Sequence, residues 1–138
     1  DIINLVSNMI VKHSSINFDY MNVNTESGKK PNAHLVLNID GKLKEAKSEG
    51  DGAVDAAFNA IEKIVQSKSE LLLYSVNNIT SGTDAQGEVT VRISKNSTVY
   101  NGHGADTDIV KASVLALINA LNKLKENPES NVLKKSGI

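Results

Sequence analysis

The chain has 138 residues, and its 15 basic and 16 acidic side chains nearly cancel to a net charge of -1. That length suits one domain, or two closely packed halves with a real core. The composition excludes a broad basic stripe or an aromatic-interleaved basic run for nucleic acid. It also excludes an apolar run long enough for a membrane span or signal peptide and, with no cysteine, all disulfide and thiolate chemistry, which suits the cytoplasm.

Ile2, Leu5, Val6, Met9 and Ile10 share one helical face, so a short helix is expected over 1–13. The helical pattern is already under way at Asp1, and the segment reads as a linker from a preceding domain, making the chain a fragment of something longer. Ile16 to Val23 reads as a strand with Ile16, Phe18 and Tyr20 on one side. A polar loop from Glu26 to Asn32 leads to a second strand, His34 to Ile39. Asp40-Gly41 predicts a type I′ hairpin turn, where both central residues need positive φ. Leu43 to Glu49 returns as a charged, solvent-facing strand. A helix follows, with Val54, Ala57, Phe58, Ile61, Ile64 and Val65 inward.

The pattern then recurs. Leu72 to Ile79 is a strand, Ser81 to Gly87 a polar loop, and Glu88 to Ser94 alternates Val89, Val91 and Ile93 against polar residues. A turn at Lys95-Asn96 leads into Ser97 to Tyr100, and Gly102 to Ile109 reads as a second Gly/Asp-rich turn matching Gly50 to Asp55. The last helix carries Ile109, Ala112, Ala116, Leu117, Ala120, Leu121 and Leu124, and Pro128 blocks its continuation. Aligning Tyr20 with Tyr74 and Val54 with Ile109 gives repeat spacings of 54 and 55 residues. The expected fold is α+β: two pseudo-symmetric βββα units, 14–68 and 69–127, each an antiparallel three-stranded sheet with one helix, followed by a flexible tail at 128–138.

Little here points to catalysis. The histidines at 13, 34 and 103 lack ligand spacing for a metal. His34, beside Leu35, reads as structural, and His103 between two glycines is a candidate ligand contact. No nucleophile elbow is present, and Gly50-Asp51-Gly52 lacks the lysine and spacing of a phosphate loop. Both Gly/Asp turns precede helices, whose free N–H groups suit a carboxylate. At the first, Asp51 or a carbonyl would take an ammonium, and Leu71, Tyr74 and Val54 would line an apolar cup. The competing readings are that Asp51 or Asp55 simply caps the helix, with Thr107 and Asp108 equally ambiguous at the second, and that the three apolar side chains are plain core.

Four stretches carry a family resemblance: Gly50 to Ala56, Glu70 to Val76, Thr80 to Val89 and Gly104 to Ser113. In order and spacing, over roughly residues 14 to 125, the chain resembles the C-terminal regulatory, LeuA-type allosteric and dimerisation domain of 2-isopropylmalate synthase and (R)-citramalate synthase. The family often has proline where this chain has Ala53. The resemblance implies feedback control of an acyltransferase that condenses acetyl-CoA with a 2-oxo acid (3-methyl-2-oxobutanoate for isopropylmalate) on a separate TIM barrel in the same chain. A divalent metal and acetyl-CoA belong to that barrel, and neither a catalytic residue nor a cofactor is expected in this domain.

The implied effector is leucine, held near a homodimer interface. By position, the family's effector residues fall on Gly50, Asp51, Gly52, Val54, Leu71, Tyr74 and Asn78, with a contribution from Ala105, Asp106 and Thr107. Gly50 stands where some citramalate enzymes have a bulkier residue, so a roomier wall is expected to favour leucine. Asn78 is more polar than the apolar residue sometimes found there. The alternatives are an isoleucine-binding citramalate synthase domain and a purely structural dimerisation module.

Overall fold

The computed structural model describes residues 15–79 and 86–127. The helix expected over 1–13, the loop at 80–85, the tail from 128 and the side chains of Asn78 and Ile79 lie outside the described set. Among the described residues, six strands and two helices run in the order β1 (Ile16–Asn24), β2 (Asn32–Ile39), β3 (Lys42–Glu49), α1 (Ala53–Val65), β4 (Glu70–Ile79), β5 (Gln86–Lys95), β6 (Thr98–Asp106) and α2 (Ile109–Glu126). Two antiparallel three-stranded sheets result, β1-β2-β3 and β4-β5-β6, each followed by its helix. The fold is therefore the doubled βββα architecture.

Turn chemistry closes the hairpins. Asp40 and Gly41 take φ of 56° and 85°, as a type I′ turn requires, and Asn38 Oδ1 accepts from the Gly41 N–H at 2.8 Å. The second tight turn is one residue later than the composition suggests, with positive φ at Asn96 and Ser97. The charged strand β3 is largely exposed, whereas Leu35 and Leu37 of β2 and Val89, Val91 and Ile93 of β5 are buried.

Both first strands carry a bulge at the same place. The β1–β2 register slips between Phe18 and Tyr20, and the β4–β5 register slips between Leu71 and Leu73. A bulge inserts one unpaired residue and reverses the facing of everything after it. Ile16, Phe18, Met21 and Val23 therefore face the core. Tyr20 faces outward, 45% exposed, with its ring edge against His34, contrary to the simple alternation. The shared bulge makes Met21, not Tyr20, the partner of Tyr74 across the repeat.

One core joins the halves. α1 lies on β2 and β3, α2 on β5 and β6, and the helices touch each other while α2 also reaches β1. α1 buries a narrower face than its apolar spacing suggests: Ala56, Ala57, Ala60 and Ile61 are buried, while Val54, Phe58, Ile64 and Val65 are half-buried. In α2 the small residues Ala112, Ala116 and Ala120 are fully buried against β6. A Cβ on Gly102 would lie 2.1 Å from the Ala116 carbonyl oxygen, and one on Gly104 would lie 2.4 Å from that of Ala112. The segment from Gly102 to Asp106 is thus strand, not the expected turn. Its glycines are there because α2 sits directly on the backbone.

Helix side chains tie down three of the four outer strands. Asn59 Nδ2 and Lys63 Nζ donate to the Glu49 and Lys47 carbonyls of β3. Asn119 Oδ1 accepts from His103 N, and Lys123 Nζ donates to the Asn101 carbonyl, on β6. Asn122 engages β1 at Ile16. Among the described residues, no side chain bonds the backbone of the fourth, β4.

Candidate functional site

The site begins at the start of α1. Gly50 donates its N–H to the Pro31 carbonyl at 3.1 Å. A Cβ there would meet Ala56 N at 2.4 Å and the Asp55 carbonyl carbon at 2.7 Å, so Gly50 lets the chain fold back onto its own helix. That differs from the expected role of widening a ligand wall. Gly52 is the N-cap, in extended conformation, and no side chain caps this end. Neither Asp51 nor Asp55 is the cap. Beyond the first helical bond, Ala56 N to Gly52 O at 2.9 Å, the N–H groups of the first turn are left without a side-chain acceptor and carry the positive end of the helix dipole.

The start of α2 is closed. Asp108 Oδ1 accepts from Val110 N at 2.9 Å, and Asp106 Oδ2 accepts from Asp108 N at 2.9 Å. The cap reading is therefore correct for Asp108. Ala105, Asp106 and Thr107 sit at this capped end.

The Asp40-Gly41 and Asn96-Ser97 turns set the offset between the later parts of the two units at 56 residues, which matches Gly52 with Asp108, Ala53 with Ile109 and Asp55 with Lys111. The two helices therefore start at equivalent places, and the extra length of α2 is at its end. In the second half the first turn of α2 reaches β1, with Lys111 Nζ 5.3 Å from the centre of the Phe18 ring. By the bulge alignment Phe18 corresponds to Leu71. In the first half a cleft lies between the first turn of α1 and Leu71 and Tyr74 of β4.

This cleft holds about 310 Å³ and is lined by Gly52, Ala53, Val54, Asp55, Phe58, Leu71 and Tyr74. Its lining is mainly apolar, with an uncapped helix start at one end. Phe58 and Tyr74 meet edge-to-face, ring centres 6.0 Å apart. Residues far apart in sequence are brought together as expected: Gly52 and Val54 from the first unit, Leu71 and Tyr74 from the second. Ala53, Asp55 and Phe58 belong to the same wall, beyond the residues that the resemblance implies. Phe58 was detectable, since it follows Val54 by one helical turn and shares its face.

A second cleft of about 510 Å³ adjoins it, lined by Lys30, Glu49, Gly50, Asp51, Asp55 and Asn59. Asp51 lies here, with its carboxylate 3.7 Å from Lys30 Nζ. Asp55 borders both clefts. Ala105, Asp106 and Thr107 line neither, and the side chain of Asn78 lies outside the described residues. His103 is on the outer face of its sheet, 3.2 Å from Thr90 Oγ1, and also lines neither cleft. His34 Nε2 lies 2.6 Å from Glu45 Oε1 on the outer face of the other sheet, a surface pair rather than a core residue. Among the described residues, no three His, Asp or Glu side chains converge as a metal site would need.

The model of the LeuA allosteric (dimerisation) domain matches residues 1–125. The chain is 59% identical over 109 residues to the 2-isopropylmalate synthase of Thiobacillus denitrificans, covering 79% of the chain and 21% of the relative. It is 59% identical over 105 residues to that of Nitrosomonas europaea, covering 76% and 21%. With the enzyme of Nitrosococcus oceani it shares 51% over 118 residues, covering 86% and 23%. The chain thus spans about a fifth of the length of these relatives. A doubled βββα chain matched by this model over most of its length belongs to the LeuA allosteric (dimerisation) domain family.

Proposed function

We propose that the chain is the regulatory domain of a 2-isopropylmalate synthase and that it binds leucine as feedback inhibitor in the cleft between α1 and β4. The observation that carries this reading is the uncapped start of α1 opening onto an apolar cleft of about 310 Å³. A free amino acid presents a carboxylate, an ammonium and a side chain within a few ångströms. The N–H groups of the first turn suit the carboxylate. Asp55, at the cleft edge, and Asp51, next to it, supply negative charge for the ammonium. Val54, Phe58, Leu71 and Tyr74 enclose a branched aliphatic side chain.

The same reading makes the domain a homodimer through β4. Four large apolar side chains of this one strand are exposed, Leu71 and Leu72 each at 48%, Leu73 at 38% and Val76 at 40%. An open edge strand carrying such side chains is a pairing template unless something covers it. A second copy on β4 would lie against the cleft and sense its occupancy. The catalytic TIM barrel, with its divalent metal and acetyl-CoA, would lie elsewhere in a longer cytoplasmic chain and carry out the condensation of acetyl-CoA with 3-methyl-2-oxobutanoate. Inhibition requires leucine to bind the less active arrangement more tightly.

Titration calorimetry of the 138-residue chain with leucine, isoleucine and valine tests this. Saturable heat with leucine, and weaker heat with the other two, is expected. Preference for isoleucine would point to a citramalate synthase domain, and silence with all three to a structural module.

A further inference from the structure

Tyr74 is held by two contacts from different elements. Its ring meets Phe58 of α1 edge-on, and its hydroxyl lies 2.6 Å from Ser113 Oγ of α2. Ser113 is fully buried and lines neither of the two clefts. Its hydroxyl also lies 2.7 Å from the Ile109 carbonyl oxygen, to which it donates.

A serine hydroxyl has one proton. With that proton on the Ile109 carbonyl, the Tyr74 hydroxyl must be the donor to Ser113 Oγ. Tyr74 therefore has no proton left for a carboxylate in the cleft, and it offers the cleft its ring alone. The ring position is set at its far end by a residue of the other helix.

We propose that Ser113 is a positioning residue for the α1–β4 cleft: by accepting the Tyr74 hydroxyl proton it fixes the depth of the apolar wall, and with it the preference for leucine over isoleucine and valine. The inference rests on the leucine reading of that cleft. Freed from Ser113, the Tyr74 ring can turn into or away from the cleft, and a wall that no longer has one position discriminates poorly between isomers of equal volume. A merely structural Ser113 would affect stability and leave that discrimination alone.

The test is a double-mutant cycle on the 138-residue chain, with Ser113→Ala, Tyr74→Phe and both together, titrated with leucine and isoleucine. Melting temperature and the Tyr74 hydroxyl proton signal in NMR are followed in parallel. Each single change is expected to lower leucine affinity about tenfold, the scale of one lost buried hydrogen bond. Isoleucine affinity should change less, so the leucine-to-isoleucine ratio falls. The double variant should be no worse than either single one. The slowly exchanging Tyr74 hydroxyl signal should be present in the parent and lost in Ser113→Ala. Parent-like affinity and ratio in either folded variant, or losses that simply add, overturn the inference while leaving leucine binding intact. A parent chain that binds neither amino acid overturns the leucine reading and this inference together.

Discussion

Asn122 holds Ile16 by both of its backbone groups: its Oδ1 accepts from Ile16 N at 2.7 Å, and its Nδ2 donates to Ile16 O at 2.9 Å. One side chain of the last helix thus takes the place of a neighbouring strand for the first residue of β1. It joins the beginning of the first unit to the end of the second. Asn122→Ala should remove both bonds and leave two part-buried backbone groups unpaired, a loss of about 2–4 kcal/mol. Urea denaturation checks this. The midpoint should fall, while leucine binding by the folded protein stays near that of the parent, because Asn122 lines neither cleft.

The glycines fall into two groups with opposite expectations. Alanine at Gly102 would place Cβ 2.1 Å from the Ala116 carbonyl oxygen, and at Gly50 it would place Cβ 2.4 Å from Ala56 N. Both neighbours are backbone and cannot swing aside, so each change should destabilise by about 1–3 kcal/mol or more. At Gly52 the nearest atom is Asp55 Oδ2 at 4.0 Å, and φ is −140°. Gly52→Ala should leave the melting temperature within a few degrees of the parent. Thermal melts of the three variants decide the matter, and equal losses at all three positions would contradict this ordering.

The alternation of Val89, Val91 and Ile93 was enough to face β5, and Asp40-Gly41 was enough to close a hairpin, because period and positive φ are local properties. The extra residues in β1 and β4 were not legible, since a bulge leaves no mark in composition and changes only which residues face inward after it. Gly102 and Gly104 misled for a related reason: a glycine needed for close approach of a helix reads the same as one needed for a turn. At the site, Gly52, Val54, Leu71 and Tyr74 were nameable from family spacing, and α1 and β4 do bring them together. The cleft itself depends on how the first turn of α1 stands against Leu71 and Tyr74 of β4, a tertiary relation that no local pattern carries.

Leu72 and Leu73 test the pairing surface apart from the cleft. Leu72 is the bulged residue, and Leu73 pairs with the exposed Arg92 on the outer face of the sheet. Neither lines the cleft. The double change Leu72→Asp, Leu73→Asp should turn a dimer into a monomer in sedimentation velocity with little change in the circular dichroism of the fold. A protein that remains dimeric after both changes would move the interface away from β4.

The contrast between the two helix starts gives the sharpest prediction. Serine at position 52 would find the extended backbone that an N-cap needs, and its hydroxyl would accept from a first-turn N–H. Relative to glycine this should stabilise α1 by only a few tenths of a kcal/mol. It would also occupy a donor proposed for the ligand carboxylate, and leucine affinity should fall about tenfold or more. The converse change is Asp108→Ala, which removes the cap that accepts from Val110 N. It should cost about 1 kcal/mol of stability and leave leucine affinity as it was, because Asp108 lines neither cleft and the Ser113–Tyr74 contact lies one turn further along α2. Calorimetry paired with melting curves separates the two effects: Gly52→Ser loses binding without losing stability, and Asp108→Ala does the reverse. Leucine binding at parental strength by Gly52→Ser would remove the start of α1 from the site, since a donor already engaged by a cap cannot also hold a carboxylate at full strength.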